Sequence, residues 1–303
     1  MTLTSEHPAP LAPTSGTLAL VPATHSESFV SHLRSGGHER WEMAYPEGTD
    51  PRENPLVMLK GGFSTRLENY QGLTNALARL GYTAVNCDAL RDLPLSRAMH
   101  PVHLTHPLRR QSQAVWGVMQ DLRERDFMAK PHLVGHSMAG KVMLDAAVHH
   151  PDETGTVVLF EPAGFGHHRA EICRQFATGV VTDAMPQALT AFRRGEASSQ
   201  LTGIVKHVGR YGLQIAHEGV EIMGTDARAL AAEYLASGHH IKFILGAKDR
   251  VIGNRHDDAV IALDPDTVII DAGHTAPQFQ SELSALAIHS VLQPQPITHP
   301  SVA

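Results

Sequence analysis

Cysteine is scarce in this chain of 303 residues: only Cys87 and Cys173 are present. Neither has the spacing of a zinc or redox motif, so both read as reduced thiols, and a disulfide framework is not expected. Basic residues are missing from the N-terminal stretch, where no Lys or Arg precedes Arg34. The apolar residues there are interrupted by Pro8, Pro10, Pro13 and Pro22. A secretory signal needs a basic start and an unbroken apolar run, so this stretch does not read as one. No apolar run elsewhere approaches the roughly 20 residues of a membrane span. Positive charge is not in excess: the net charge is -6 and the pI about 6.4. That removes the electrostatic footprint of a nucleic-acid binder. Aromatic residues make up 5% of the chain, which argues against a pocket of stacked rings. These absences point to a cytoplasmic protein with neither a membrane nor a nucleic-acid partner.

What is present suits an ordinary globular domain. Hydrophobic residues account for 42% and charged residues for 18%, enough apolar material for one sizeable core. Histidine is abundant, at 21 residues. The pairs His149-His150, His167-His168 and His239-His240 and the triplet His100, His103 and His106 resemble ligand spacings. Pro101 and Pro107 interrupt any helix that would put the triplet on one face. These histidines read as surface residues, and neither a metal nor a cofactor is expected.

The chain is organised as alternating strands and helices. Residues 1–30, rich in Pro, Ser, Thr and Ala, read as a flexible leader, and 297–303 as a flexible tail. Strands are predicted over 39–45, 55–59, 82–87, 132–134, 156–160, 241–245 and 267–270. Helices are predicted over 67–80, 108–126, 138–150 and 277–292. Short apolar strands separated by helices predict an α/β domain, with a mostly parallel central sheet and helices on both faces. Residues 164–239 break this rhythm. They carry helical periodicity and no β-rich run, and they are far longer than a crossover needs, so they read as an insertion. The core is then 31–163 and 240–296.

Chemistry enters at Lys130-Pro-His-Leu-Val-Gly135-His136-Ser137-Met138-Ala139-Gly140. A short apolar strand ends in glycine, a serine follows two residues later, and a helical pattern starts at once. Small neighbours let strand and helix approach, and the tight turn presents the hydroxyl beside the positive end of a helix. This run resembles the nucleophile elbow of the α/β-hydrolase superfamily, written G-x-S-x-G, with Ala139 in the fifth position and Gly140 behind it. The resemblance covers about residues 38–163 and 240–292. It implies the α/β-hydrolase fold, with the 164–239 insertion as a helical cap over the active site.

A serine nucleophile needs a base, and the base needs a carboxylate to fix its tautomer. The resemblance implies the order serine, acid, histidine, each after its own strand. Asp249 follows the strand ending at Leu245-Gly246, and His274 follows Ile269-Ile270-Asp271-Ala-Gly273. Glu161, directly after the 156–160 strand, is the rival acid, at a place some relatives use. Asp271 is too near His274 along the chain to be preferred. The expected triad is Ser137, Asp249 and His274. The oxyanion formed during acyl transfer needs backbone N–H donors. Met138 supplies one, and the turn after the 55–59 strand supplies the other, from Gly62 or, with the register shifted by one, Phe63.

Two departures from the family pattern stand out. Lys60 occupies the place where relatives usually have histidine, and Asp88-Ala-Leu-Arg-Asp-Leu-Pro-Leu-Ser96 lacks the usual glycine turn. Lys60 is expected to be a contact for an acidic substrate, a member of an ion pair or a solvated strand end, and His136 is a second substrate-contact candidate. The leading expectation is hydrolysis of a carboxylic ester or thioester through an acyl-serine, acting on a small-molecule acyl substrate. Lactone, amide or carbon–carbon bond hydrolysis, acyl transfer and cofactor-free haloperoxidation would use the same triad. A haloalkane dehalogenase would need aspartate where Ser137 stands. A non-catalytic receptor is the alternative of a different class, and self-association into a homo-oligomer is left open.

Overall fold

Apolar and β-branched runs pair into one eight-stranded sheet in the computed structural model, which describes residues 23–32, 38–62, 67–88, 107–165, 226–252 and 257–293. The strands are β1 (Thr24–His32), β2 (His38–Pro46), β3 (Leu56–Lys60), β4 (Thr83–Cys87), β5 (His132–His136), β6 (Val157–Phe160), β7 (Ile241–Gly246) and β8 (Val268–Ile270). The helices are α1 (Leu67–Arg79), α2 (Pro107–Glu124), α3 (Ala139–His149), α4 (Ala227–Ala236), α5 (Asp257–Ile261), α6 (Ala276–Phe279) and α7 (Ser281–Leu292). Across the sheet the order is β1-β2-β4-β3-β5-β6-β7-β8. β1–β2 and β2–β4 are antiparallel, and every pairing from β4 to β8 is parallel.

Parallel strands must be covered on both faces, and the alternation within each strand assigns the faces. Met58, Leu133, Leu159 and Phe243 belong to the core under α2, α3 and α4. Val57, Leu59, Val134, Val158 and Ile244 belong to the core under α1, α6 and α7. In α1, Leu67, Tyr70, Leu73, Thr74 and Leu77 recur at helical spacing and are buried. Each buried leucine of this kind contributes about 1.5–3 kcal/mol. Among the described residues, no helix is long and apolar enough to cross a membrane.

Several boundaries differ from those expected. Residues 24–32, the end of the expected leader 1–30 and the start of the core, form β1, the edge strand. Phe29 stacks on the fully buried Trp41 with ring centroids 4.2 Å apart, and Trp41 Nε1 donates to Ser31 Oγ at 2.7 Å. Ser31 Oγ in turn donates to Asp121 on α2 at 2.7 Å. The stacked rings and this hydrogen-bonded bridge fasten β1 to the domain. The closing helix expected over 277–292 breaks at Gln280 into α6 and α7. Residues 227–236, assigned to the insertion, are α4, whose Ala227, Ala231 and Tyr234 are buried against the core beside α3. The remainder of the expected cap, 166–225, lies outside the described residues. So do Phe63, the 89–106 loop with His100, His103 and His106, the pair His167-His168, Cys173, residues 1–22 and the tail.

Lys60, expected at a substrate, in an ion pair or at a solvated strand end, lies inside the fold. At the end of β3 it is 2% exposed, donates to the Asp88 carbonyl at 2.7 Å and lies 3.9 Å from Glu39 on β2. Its charge is met inside the fold by these partners. Removing one partner of a buried pair strands the other in a low dielectric. Lys60→Met is therefore expected to lower stability by about 3–5 kcal/mol, and Lys60→Met with Glu39→Leu to recover much of it. Urea unfolding of the three proteins measures this, and equal stability of wild type and Lys60→Met would refute the pairing.

Candidate active site

Ser137 sits between β5 and α3 with φ +57°, in the left-handed region that a side chain rarely adopts. The turn is held on both sides. Ser137 N–H donates to Phe160 O at 3.0 Å, while Ser137 O accepts from Gly140 N–H at 3.1 Å and Ala163 N–H at 3.2 Å. Close approach explains the glycines. A Cβ at Gly135 would stand 2.6 Å from Gly140 Cα and from Ala139 O. A Cβ at Gly62 would stand 2.9 Å from Ser137 Cβ, so the turn after β3 crosses directly over the serine.

His274 and both candidate acids converge on this serine. His274 Nε2 lies 3.0 Å from Ser137 Oγ, and its Nδ1 lies 3.0 Å from Asp249 Oδ2. Asp249 Oδ1 accepts N–H bonds from Val251 at 2.7 Å and Ile252 at 3.1 Å. Glu161, expected only as a rival to Asp249, places Oε2 3.0 Å from the same Nδ1. All four residues are buried. Burial disfavours charge on Asp249, but attraction to His274 and the hydrogen bonds outweigh it, and the carboxyl is held below its ordinary value. Glu161 is pushed well above its ordinary value, first by burial and then by the neighbouring Asp249 charge. Burial works against charge on His274 as well, yet Asp249 and then Glu161 raise it above the usual 6.5. Asp271 makes a different contact, with the exposed Lys248 at 2.7 Å.

His136, expected as a substrate contact, is buried and bonded within the fold. Its Nε2 lies 2.8 Å from the His274 carbonyl, which can only accept, so Nε2 carries the hydrogen. Nδ1 then accepts from the Tyr70 hydroxyl at 2.5 Å. The Tyr70 oxygen accepts in turn from Gly62 N–H at 3.3 Å. Burial, followed by the charge on His274, lowers the His136 pKa to about 3, so the ring is neutral. Of the expected oxyanion donors, Met138 is the N-cap residue of α3, while Gly62 directs its N–H to Tyr70. His136, Glu161 and His274 lie close enough together to suggest an ion site. Both His136 nitrogens and both His274 nitrogens are already engaged, and the cluster reads as a hydrogen-bonded network. Tyr70 carried no signal in the sequence beyond its place on a buried helix face. Tyr70→Phe leaves His136 Nδ1 buried without its donor and is expected to cost about 1–3 kcal/mol of stability. Denaturant unfolding decides it: an unchanged midpoint would dismiss the tautomer assigned to His136.

Comparison with known proteins gives the fold a context. No protein-family model matches the chain, and no curated protein matches it. Solved structures do. A hydrolase from Pseudomonas aeruginosa superposes with a TM-score of 0.63 at 18% identity, covering 88% of this chain and 98% of its own. The 2-hydroxy-6-oxo-6-phenylhexa-2,4-dienoate hydrolase of a Rhodococcus species gives 0.60 at 19% identity, covering 88% and 99%. The enol-lactonase of Burkholderia xenovorans gives 0.61 at 14% identity, covering 87% and 99%. These superpositions run over nearly the whole length of each neighbour, and with its mostly parallel eight-stranded sheet the chain has the α/β-hydrolase fold.

Proposed function

We propose that this protein is a serine hydrolase that cleaves a carboxylic ester or thioester through an acyl-serine. One observation carries the reading: a buried hydrogen-bonded chain from Ser137 Oγ through the two nitrogens of His274 to Asp249, with 3.0 Å at each link. A ring bonded to a carboxylate through Nδ1 presents Nε2 as an acceptor to the hydroxyl, which is the tautomer a general base requires. The solved structures it resembles include a thioesterase domain, an enol-lactonase and several hydrolases, which supports acyl chemistry on this scaffold.

In this reading, Ser137 Oγ attacks the acyl carbon as His274 Nε2 takes its proton. The carbonyl electron pair moves onto oxygen, and Met138 N–H at the start of α3 holds that oxyanion. A second donor comes from the turn after β3, where Gly62 N–H exchanges Tyr70 for the oxyanion. Each such donor is worth roughly 3–4 kcal/mol in the transition state. His274 returns its proton to the departing alcohol or thiol as the carbon–oxygen or carbon–sulfur bond breaks. Water, deprotonated by the same nitrogen, then releases the acid and restores Ser137. Asp249 balances the imidazolium throughout. No step calls for a metal or a cofactor.

Fluorophosphonate labelling tests the reading. Wild type is expected to be labelled, and Ser137→Ala and His274→Ala are not; an unlabelled, folded wild type would sink it in favour of a ligand receptor. The pH dependence has a definite sign. His274 must be neutral to accept the serine proton, and its pKa in the fold is raised, so the neutral form appears only as pH climbs through that raised value. The labelling rate is therefore expected to rise with pH along a limb displaced above the ordinary histidine value of 6.5. A limb centred at or below that value would contradict the charge assignment.

A further inference from the structure

Glu161 is costly for the fold to place, and a chain of Ser137, His274 and Asp249 does not need it. The residue follows β6 directly, and its backbone is in the left-handed region at φ +45°. For a residue with a side chain that costs about 1–2 kcal/mol. It is buried, at 1% exposed. Gly246, at the end of β7, clears the space for it, because a Cβ there would overlap Glu161 Oε1 and stand 2.6 Å from Ala272 O. These concessions set Oε2 3.0 Å from His274 Nδ1, the same distance as Asp249 Oδ2.

Nδ1 carries one hydrogen, and two carboxyls face it. Two buried carboxyls in such proximity do not both ionise. The backbone decides between them. Asp249 accepts two N–H bonds from Val251 and Ile252, which favour its charged form. The proton therefore resides on Glu161. The other groups around the ring do not compete for it. Ser137 is on Nε2, the His136 ring is neutral at 4.8 Å between centroids, and Asp271 pairs with Lys248 near the surface.

We propose that Glu161 is a positioning residue that shares one proton with Asp249 across Nδ1 of His274, so that the pair, rather than Asp249 alone, orients the base. The proposal rests on the serine-hydrolase reading for its consequence in catalysis. Once His274 has lost its proton as pH climbs, the pair holds one proton and one negative charge beside the neutral ring. When His274 takes the serine proton, the pair keeps both its proton and its charge. When Asp249 is replaced by asparagine, Glu161 releases its proton to solvent, and its carboxylate receives the Nδ1 hydrogen.

The test compares wild type, Asp249→Asn, Glu161→Gln and the double variant by two readouts. The first is the His274 pKa, followed by NMR on the nitrogen-15-labelled ring. The second is the pH-dependent rate of fluorophosphonate labelling at Ser137. The pKa is expected to fall in each single variant and furthest in the double. Labelling by Asp249→Asn is expected to fall about 10- to 100-fold, and by the double variant about 10,000-fold, the loss that follows removal of a sole triad acid. Glu161→Gln is expected to slow labelling several-fold and move its pH limb downward. A double variant indistinguishable from Asp249→Asn would overturn the proposal, as would Glu161→Gln matching the double variant, which would make Glu161 the sole acid. Glu161→Asp, which draws the carboxyl back from Nδ1, serves if Glu161→Gln does not fold, and is expected to lower the pKa likewise. Absence of labelling in wild type would defeat the hydrolase reading, while the ring titration would still decide the pair.

Discussion

One rung of the sheet fixes where everything else goes. His136, Phe160, Ile244 and Val268 are register partners across β5, β6, β7 and β8. Ser137 and Glu161 are the residues immediately after two of these partners, and both leave the sheet with positive φ. Neighbouring parallel strands that end level deliver their next side chains to one place. A slip of one residue in any pairing would turn the side chains to the opposite face. The apolar alternation of β5, β6 and β7, buried on both faces, prevents that slip. The chemistry at the edge thus depends on packing in the middle.

That packing also supports the strain. Left-handed backbone at Ser137 and Glu161 costs about 1–2 kcal/mol at each. Such conformations persist where the surroundings over-determine them. Ser137 is bonded through both its N–H and its C=O, and Glu161 N–H donates to Ile244 O at 2.8 Å. The bonds that hold these residues run to the adjacent strands or turns, so each strained position is braced by the sheet that created it. Below the serine, Tyr70 and His136 extend the bracing to the base, since His136 holds the His274 carbonyl from the α1 side.

Much of this was legible in the sequence. The alternation of short apolar runs with helical stretches marks a doubly covered sheet, and the glycine-serine turn marks where β5 stops. The features that escaped have physical reasons. β1 reads Thr-His-Ser-Glu-Ser-Phe-Val-Ser-His, with little apolar alternation, and it is structural because Phe29 meets Trp41 and Ser31 meets Asp121, contacts that no local pattern encodes. α4 has the periodicity of any small helix, and only its burial against α3 separates it from an insertion. Lys60 needed Glu39, which lies on another strand, to reveal an internal pair. Glu161 and Asp249 appeared as alternatives because sequence order gives one acid per strand end. The adjacency of β6 and β7, with Phe160 opposite Ile244 and β7 running on to Gly246, brings both to the same nitrogen.

Charge near His274 is therefore controlled by few groups. The Lys60–Glu39 pair neutralises itself between β3 and β2. The Lys248–Asp271 pair is more than half exposed and is screened by water, so it contributes at most about 1 kcal/mol. Buried charges a few ångströms apart interact by roughly 4 kcal/mol at an effective dielectric constant near 20. The charged Asp249 sits at that range from the imidazole, with the protonated Glu161 beside it, and neutral His136 adds no opposing charge. The basicity of His274 is thus set almost entirely at Nδ1, while the reaction takes place at Nε2. Separating the two across one ring lets strands β6 and β7 tune the base without obstructing the face that meets Ser137.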